Sequence, residues 1–144
     1  MKIRAARSED LDAIKALLEG NGLPATDVTH DLLPDFSVAE DADGLVVGSV
    51  GLERFGTSAL LRSLAVAQSA RGLGLGHNLA VHAEGVARAA SMSELWLLTT
   101  TAVEFFQRAG YTVVNRNSAS EELLASTQFS QLCPASAVCM KKES

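Results

Sequence analysis

The sequence predicts a single α+β domain, with helices packed on a mostly antiparallel sheet of about six to seven strands. Strand-like and helix-like segments alternate along all 144 residues. Three strand-like runs follow one another before the middle helix, which favours antiparallel pairing. Finally, alternating glycines (Gly72, Gly74 and Gly76) separate a strand from the helix that follows it.

The composition excludes several classes of protein. An apolar fraction of 47% is normal for a globular chain. With no apolar run of about 18 residues and no signal-peptide pattern, we expect a cytoplasmic protein. The net charge of −5 argues against nucleic-acid binding. Two cysteines (Cys133, Cys139) and three scattered histidines (His30, His77, His82) lack metal-ligand spacing, so we expect neither a disulfide nor a metal site.

The first half of the chain reads as a strand, a helix and three strands. Ser8 can cap the helix, whose apolar face is followed by the stop signal Gly20–Gly22. The stretch Pro24–Asp35 is expected to be a loop with at most a short helix around His30–Leu33. Gly48 and Gly51 suggest a bulge or bend in the third strand. The expected strands are Lys2–Ala6, Phe36–Glu40, Leu45–Arg54 and Ala59–Val66.

The second half alternates helices and short strands. After the glycines comes a helix with Leu79, Ala83, Val86, Ala87 and Ala90 on one face. A helix containing Val103 and Arg108 ends at Gly110, and Ser120 can cap another over Glu121–Ser126. The expected strands are Glu94–Leu98, Tyr111–Val114 and Ala137–Met140, with a loop at Gln128–Pro134 and a polar tail from Lys141 to Ser144.

The strand, glycine loop and helix in succession predict a binding site for a phosphate-bearing ligand. A P-loop would require Lys and Ser or Thr after the last glycine, but His77 and Asn78 follow Gly76. A dinucleotide-binding loop would place its acidic residue after the next strand. Here Glu94 comes before the apolar residues Leu95–Leu98 of that strand, so this interpretation also fits poorly.

Arg71–Gly76, which follows the unit Leu64–Val66, resembles the pyrophosphate loop of the GNAT superfamily of acetyl-CoA-dependent N-acetyltransferases. The segment AVEFFQRAGY resembles the second signature of that superfamily. The resemblance spans nearly the whole chain. It implies the GNAT fold, with a central sheet that splays apart at the cofactor site, and acetyl-CoA as cosubstrate.

The same resemblance implies roles for particular residues. The Leu64 N–H would face the thioester oxygen, and the segment Leu64, Ala65 and Val66 would hold the pantetheine arm. The pyrophosphate would be held by the backbone amides of Arg71, Gly72, Leu73, Gly74, Leu75 and Gly76. Thr101 and Phe106 are further cofactor contacts. Phe106 stands where many relatives have a tyrosine that protonates the thiolate, so water protonates it here or it leaves unassisted.

The acceptor side is predicted from residue chemistry. Glu53 ends a strand beside the glycine-loop strand and is the first choice for the base that deprotonates the amine, with His30 second. Arg62 suits a carboxylate on the substrate or is simply an exposed arginine. Thr99, Thr100 and Thr101 either contact ligands or cap the next helix. By resemblance, the loop before Phe36 would cover the acceptor.

Within the superfamily, the sequence is similar to the bacterial arsenic-resistance N-acetyltransferases, through segments such as LLRSLAV, LLTTTA and FSQLCPASA. This similarity implies a small amino-acid-like acceptor, including an arsenic- or phosphorus-containing glutamate analogue. Alternatives are a protein N-terminal acetyltransferase and a noncatalytic acetyl-CoA-binding domain. Members often dimerise, so a homodimer is one expected assembly, with no nucleic-acid or membrane partner.

Overall fold

The computed structural model describes residues 1–143, apart from the side chain of Leu132, and this part of the chain forms seven strands and four α-helices. The strands are β1 Lys2–Ala5, β2 Phe36–Glu40, β3 Val46–Phe55, β4 Ser58–Val66, β5 Glu94–Thr99, β6 Thr112–Val114 and β7 Val138–Glu143. The helices are α1 Leu11–Gly20, α2 Leu75–Ala89, α3 Val103–Arg108 and α4 Glu121–Leu124.

The strands form one sheet in the order β1-β2-β3-β4-β5-β7-β6. The β4–β5 pair is parallel, over Ser58–Leu60, and the pairs β1–β2, β2–β3, β5–β7 and β6–β7 are antiparallel. The predicted α+β class with a mostly antiparallel sheet is therefore confirmed.

The chain divides into two compact units, and the prediction of a single domain stays a prediction. One unit consists of Met1–Glu53 and Leu61–Val86, and the other consists of Arg54–Leu60 and the chain from Ala87 onward.

The first unit buries helices on both faces of its strands. On one face, Ile14 and Leu18 of α1 pack with Phe36 and Val38 of β2. On the other face, the side chains of α2 lie directly over Gly48, where an added Cβ would stand 2.8 Å from Leu79. Successive side chains of a strand alternate between the faces, so the apolar residues of β2 serve both helices.

The register between β2 and β3 shifts once. Ala39 pairs with Gly48 while Glu40 pairs with Val46, so Val47 is the extra residue of a bulge. The bulge that the two glycines of β3 predict is therefore confirmed. At the second glycine, Gly51, an added Cβ would lie 2.2 Å from the Phe36 ring, which leaves room for no side chain.

The second unit has its own core, which includes Leu60, Trp96, Leu123, Phe129 and Cys139. The predicted cap of α4 is confirmed, since the Ser120 Oγ accepts a hydrogen bond from the Leu123 amide at 3.2 Å. Burial raises the pKa of the Cys139 thiol to about 11. It therefore remains protonated at neutral pH.

Three details differ from the predictions. Ser8 is not a cap: Arg7 precedes a 3₁₀ turn over Ser8–Asp10, where the Asp10 carboxylate accepts the Arg7 amide at 2.7 Å. The segment Gln128–Leu132 is a π-helix rather than a loop. Its five residues are too few to show a helical periodicity that could have indicated it.

The last strand is also longer than predicted. β7 continues to Glu143 because Lys141 and its neighbours pair with β5. The Lys141 Nζ bonds Glu94 at 3.0 Å and lies 5.3 Å from the centre of the Trp96 ring. These contacts stabilise a charged strand end that the sequence presents as a polar tail, whose last residue, Ser144, lies outside the described residues.

Candidate active site

The glycine loop leads directly from β4 into α2. After β4, a 3₁₀ turn covers Gln68–Ala70, and the loop then contains Gly72 with φ +83° and Gly74 with φ +74°. A Cβ added at either glycine would meet no atom within 4 Å. The glycines are thus needed for their backbone conformation, and their outer side is open for a ligand.

The loop ends at the N-terminus of α2. The Gly74 carbonyl accepts the Asn78 amide at 3.1 Å, which makes it the first hydrogen-bond acceptor of the helix. The amides of Leu75, Gly76 and His77 consequently have no acceptor within the helix. Unpaired amides and the positive end of a 15-residue helix together favour an anion such as a diphosphate.

Arg71 ties this loop to the end of α1. Its Nη2 donates to the Asn21 Oδ1 at 2.7 Å, and its Nε donates to the Val66 carbonyl at 3.3 Å. The Asn21 side chain in turn donates to the Leu17 carbonyl at 2.8 Å. The Arg71 side chain is thus held by protein groups, and its predicted contact with the pyrophosphate stays a prediction.

The backbone of β4 has an unusual residue at its centre. Ser63 has φ +58°, and its carbonyl accepts the Ser49 Oγ of β3 at 2.8 Å. Further along, the Ala67 amide donates to the Val47 carbonyl of β3 at 2.8 Å. Main-chain groups of a strand alternate between its two edges. Ser63, Ala65 and Ala67 therefore face β3, and Leu64 and Val66 face the opposite edge.

The predicted contact with pantetheine requires the backbone of Leu64 and Val66 to face the edge of β4 that is turned away from β3. The bond from Arg71 to the Val66 carbonyl agrees with this orientation. The Ala65 side chain is buried in the core with α1, and its main chain faces β3. The predicted contacts of Leu64, Ala65 and Val66 with the cofactor stay predictions, with the backbone of Leu64 and Val66 oriented as they require.

Arg62 binds two carboxylates inside the first unit. Its Nη1 and Nη2 donate to the two Asp27 oxygens at 2.5 and 2.6 Å, and Nη1 also donates to the Glu53 Oε1 at 2.6 Å. The Nε donates to the Ser63 Oγ at 3.0 Å. The Arg62 side chain is only 1% exposed, against 14% for Asp27 and 17% for Glu53.

In this acidic cluster of Asp27, Glu53 and Arg62, the hydrogen bonds favour the charged form of the arginine. Burial opposes the positive charge of Arg62, but the hydrogen bonds to both carboxylates outweigh it and raise the Arg62 pKa above its ordinary value. With two carboxylates on one guanidinium, the cluster has a net charge of −1 when all three groups are ionised. Such a site attracts a cationic group, for instance an ammonium.

The other predicted site residues lie elsewhere. In the second unit, the Thr99 hydroxyl accepts the Ala102 amide at 3.0 Å at the start of α3, and Thr100 and Thr101 are exposed. Phe106 is buried edge-on against Tyr111. Their contacts with cofactor or substrate stay predictions.

In the first unit, His30 is exposed at the start of the 3₁₀ turn His30–Asp35. The structure thus brings Glu53 and Arg62 together but places His30 outside the acidic cluster.

The family model of the acetyltransferase (GNAT) domain matches residues 34–113, more than half of the chain. The chain belongs to the GNAT acetyltransferase family. It is an acetyl-CoA-dependent N-acetyltransferase, with acetyl-CoA as cosubstrate. The matched region includes the glycine loop and β4. A search of curated proteins found no match.

Solved structures share the GNAT fold. Rv2747 from Mycobacterium tuberculosis, in complex with CoA and NLQ, is 24% identical with a TM-score of 0.85, over 100% of this chain and 99% of that one. N-acetylglutamate synthase from Neisseria gonorrhoeae, with coenzyme A and N-acetyl-glutamate, is also 24% identical with a TM-score of 0.85, over 99% of this chain. That match covers 34% of the synthase chain. A GNAT acetyltransferase from Staphylococcus aureus Mu50 is 15% identical, with a TM-score of 0.79 over 99% and 98% of the two chains.

Sequence reasoning missed two residues of this acetyltransferase. Asp27 is 35 positions from its partner Arg62, and Asn21 is 50 positions from Arg71. Side-chain contacts over such separations leave no periodic pattern. An acidic residue inside the loop expected to cover the acceptor was the available signal for Asp27.

Within residues 1–143, the structure contains no helix long and apolar enough to cross a membrane.

Replacing Gly72 with alanine is expected to raise KM for acetyl-CoA about 10- to 100-fold, the effect of losing one or two hydrogen bonds to a charged group. The added Cβ projects into the open side of the loop, and φ +83° is unfavourable for alanine. Steady-state kinetics with varied acetyl-CoA measure the change.

Gly44→Ala is the matched control, because Gly44 has φ +81° and the same empty surroundings in a hairpin turn. Both variants carry the same backbone strain, so their melting temperatures should fall alike. Equal KM values in the two variants would show that the glycine loop does not hold the coenzyme.

Proposed function

We propose that this GNAT enzyme acetylates the primary amine of a small amino-acid-like acceptor. The observation that carries the proposal is the acidic cluster at the end of β3, which joins the Glu53 carboxylate to an arginine suited to a substrate carboxylate. One similar structure supports it, since the gonococcal synthase was solved with N-acetyl-glutamate, an acetylated amino acid.

The coenzyme would be held by main-chain groups. The amides from Arg71 to Gly76 would bind its diphosphate at the start of α2. Leu64 and Val66 would pair with its pantetheine arm along the edge of β4 that faces away from β3. The Leu64 N–H would then donate to the thioester oxygen, where negative charge develops as the amine attacks.

The acceptor amine must lose a proton before or during its attack on the thioester carbonyl. Glu53 would take that proton, directly or through one water. Its Oε1 is fixed by the Arg62 Nη1 at 2.6 Å, and its side chain remains 17% exposed. The carboxylate is therefore held in one position while a part of it stays reachable.

Arg62 would bind the carboxylate of the acceptor. The similarity to arsenic-resistance N-acetyltransferases extends the proposed acceptors to arsenic- and phosphorus-containing analogues of glutamate. These carry the same amine and carboxylate as an amino acid, so the same cluster would recognise them.

Release of free CoA thiol tests the proposal. The enzyme is mixed with acetyl-CoA and a panel of amino acids, their phosphonate and arsenical analogues, simple amines, and peptides with free N-termini. The expected result is release with at least one free amino acid or analogue above the rate of acetyl-CoA hydrolysis. Release with peptides alone would instead identify an N-terminal acetyltransferase.

A further inference from the structure

Asp27 contacts Arg62 in the way that a free carboxylate would. Each Asp27 oxygen accepts one hydrogen bond from a different terminal nitrogen, at 2.5 and 2.6 Å. Two parallel bonds of this kind are the preferred geometry of an arginine with any carboxylate, including that of an amino acid.

The remaining donors of Arg62 leave no second position for a ligand carboxylate of this geometry. The Nε bonds the Ser63 Oγ, and Nη1 also bonds Glu53. With the side chain 1% exposed, a second carboxylate reaches the fork only when Asp27 leaves it. Asp27 itself is 14% exposed and belongs to the irregular segment between α1 and the turn at His30–Asp35.

We propose that Asp27 is a specificity-determining residue, an internal competitor that occupies the place of the acceptor carboxylate on Arg62. This inference rests on the proposed function, in which Arg62 binds that carboxylate. An amino acid exchanges one carboxylate for another and keeps Arg62 neutralised. An amine without a carboxylate makes no such exchange and leaves Asp27 in place.

The test compares Asp27→Asn with the wild-type enzyme on an amino acid and on the amine that lacks its α-carboxylate. The asparagine amide keeps the size of the side chain but loses the charge, so it competes weakly for Arg62. We expect KM for the amino acid to fall about tenfold, in line with one hydrogen bond to a charged group. KM for the amine should stay the same.

Two further variants make the result specific. Asp12→Asn removes the same charge from an exposed residue of α1, outside the loop expected to cover the acceptor, and should leave both KM values unchanged. Asp27→Glu retains the carboxylate and should return KM for the amino acid toward the wild-type value. An unchanged or raised KM for the amino acid in Asp27→Asn would overturn the proposal.

A binding measurement separates this proposal from the proposed function. Glutarate, a dicarboxylate without an amine, is titrated while the melting temperature is followed. Stabilisation of Asp27→Asn at lower glutarate concentrations than the wild type supports the competition, and equal responses overturn it. If no amino acid releases thiol with the wild-type enzyme, the proposed function fails, and glutarate still tests the contact between Asp27 and Arg62.

Discussion

Replacing Glu53 with glutamine is expected to lower kcat/KM for the acceptor about 100- to 10,000-fold near neutral pH, the usual contribution of a general base. Glutamine has the shape of glutamate, and its Oε1 can still accept from Arg62, which donates at 2.6 Å in the wild type. The change thus removes the proton acceptor while it retains the hydrogen bond. Thiol release at saturating acetyl-CoA measures the loss.

The pH dependence distinguishes a base from a structural residue. Without a base, the reaction depends on acceptor that is already uncharged, a fraction that grows as the pH rises toward the amine pKa. The variant should therefore keep gaining activity at pH values where the wild type has levelled off. A profile parallel to that of the wild type would remove Glu53 from the proton transfer.

Glu40→Gln is a matched control for this substitution. Glu40 is also bound to an arginine, with its Oε2 3.1 Å from the Arg4 Nε, and its side chain is 21% exposed. It lies at the end of β2, outside the acidic cluster, so its replacement should leave kcat/KM and the pH profile unchanged. A comparable loss in both variants would indicate a general effect of removing an ion pair.

Replacing Arg62 with methionine is expected to lower the free energy of unfolding by about 3–5 kcal/mol, the cost of leaving a buried charge without its partner. Methionine fills a similar volume, but Asp27 and Glu53 are then left facing each other without a cation. The loss should show as a lower midpoint of urea unfolding with an unchanged slope.

Arg4→Met provides the comparison. Arg4 likewise binds two carboxylates, Asp10 at 2.8 Å and Glu40 at 3.1 Å, but its side chain is 11% exposed rather than 1%. The Asp10 carboxylate also keeps its hydrogen bond from the Arg7 amide at 2.7 Å when Arg4 is replaced, so this variant should lose less stability. Equal losses would show that burial does not determine the contribution of Arg62.

Much of the fold could be predicted because local patterns determine it. The bulge at the glycines of β3, the apolar face of α1 and the glycines before α2 each have a physical cause within a few residues. The end of β7 could not be predicted in this way, since Lys141 belongs to the sheet through Glu94 and Trp96, more than 40 positions away.

In the candidate site too, the features set by nearby residues could be predicted and those set by distant residues could not. The glycine loop is local, and its positive φ angles follow from Gly72 and Gly74. The contacts of Arg62, by contrast, are with residues far from it in the sequence. Its residue type indicates a carboxylate partner, but only the folded chain shows that Asp27 and Glu53 are the partners. Sequence reasoning consequently identified the arginine and missed the aspartate that occupies it.

Ser63 sets a limit on how this enzyme can vary. A residue other than glycine in the left-handed region costs on the order of 1–3 kcal/mol, and asparagine, aspartate and glycine tolerate that region best. Branched side chains such as valine, which most strand positions favour, are excluded at this one. The middle of β4 is therefore a position where backbone shape, in addition to the hydroxyl that accepts from Arg62, restricts evolutionary drift.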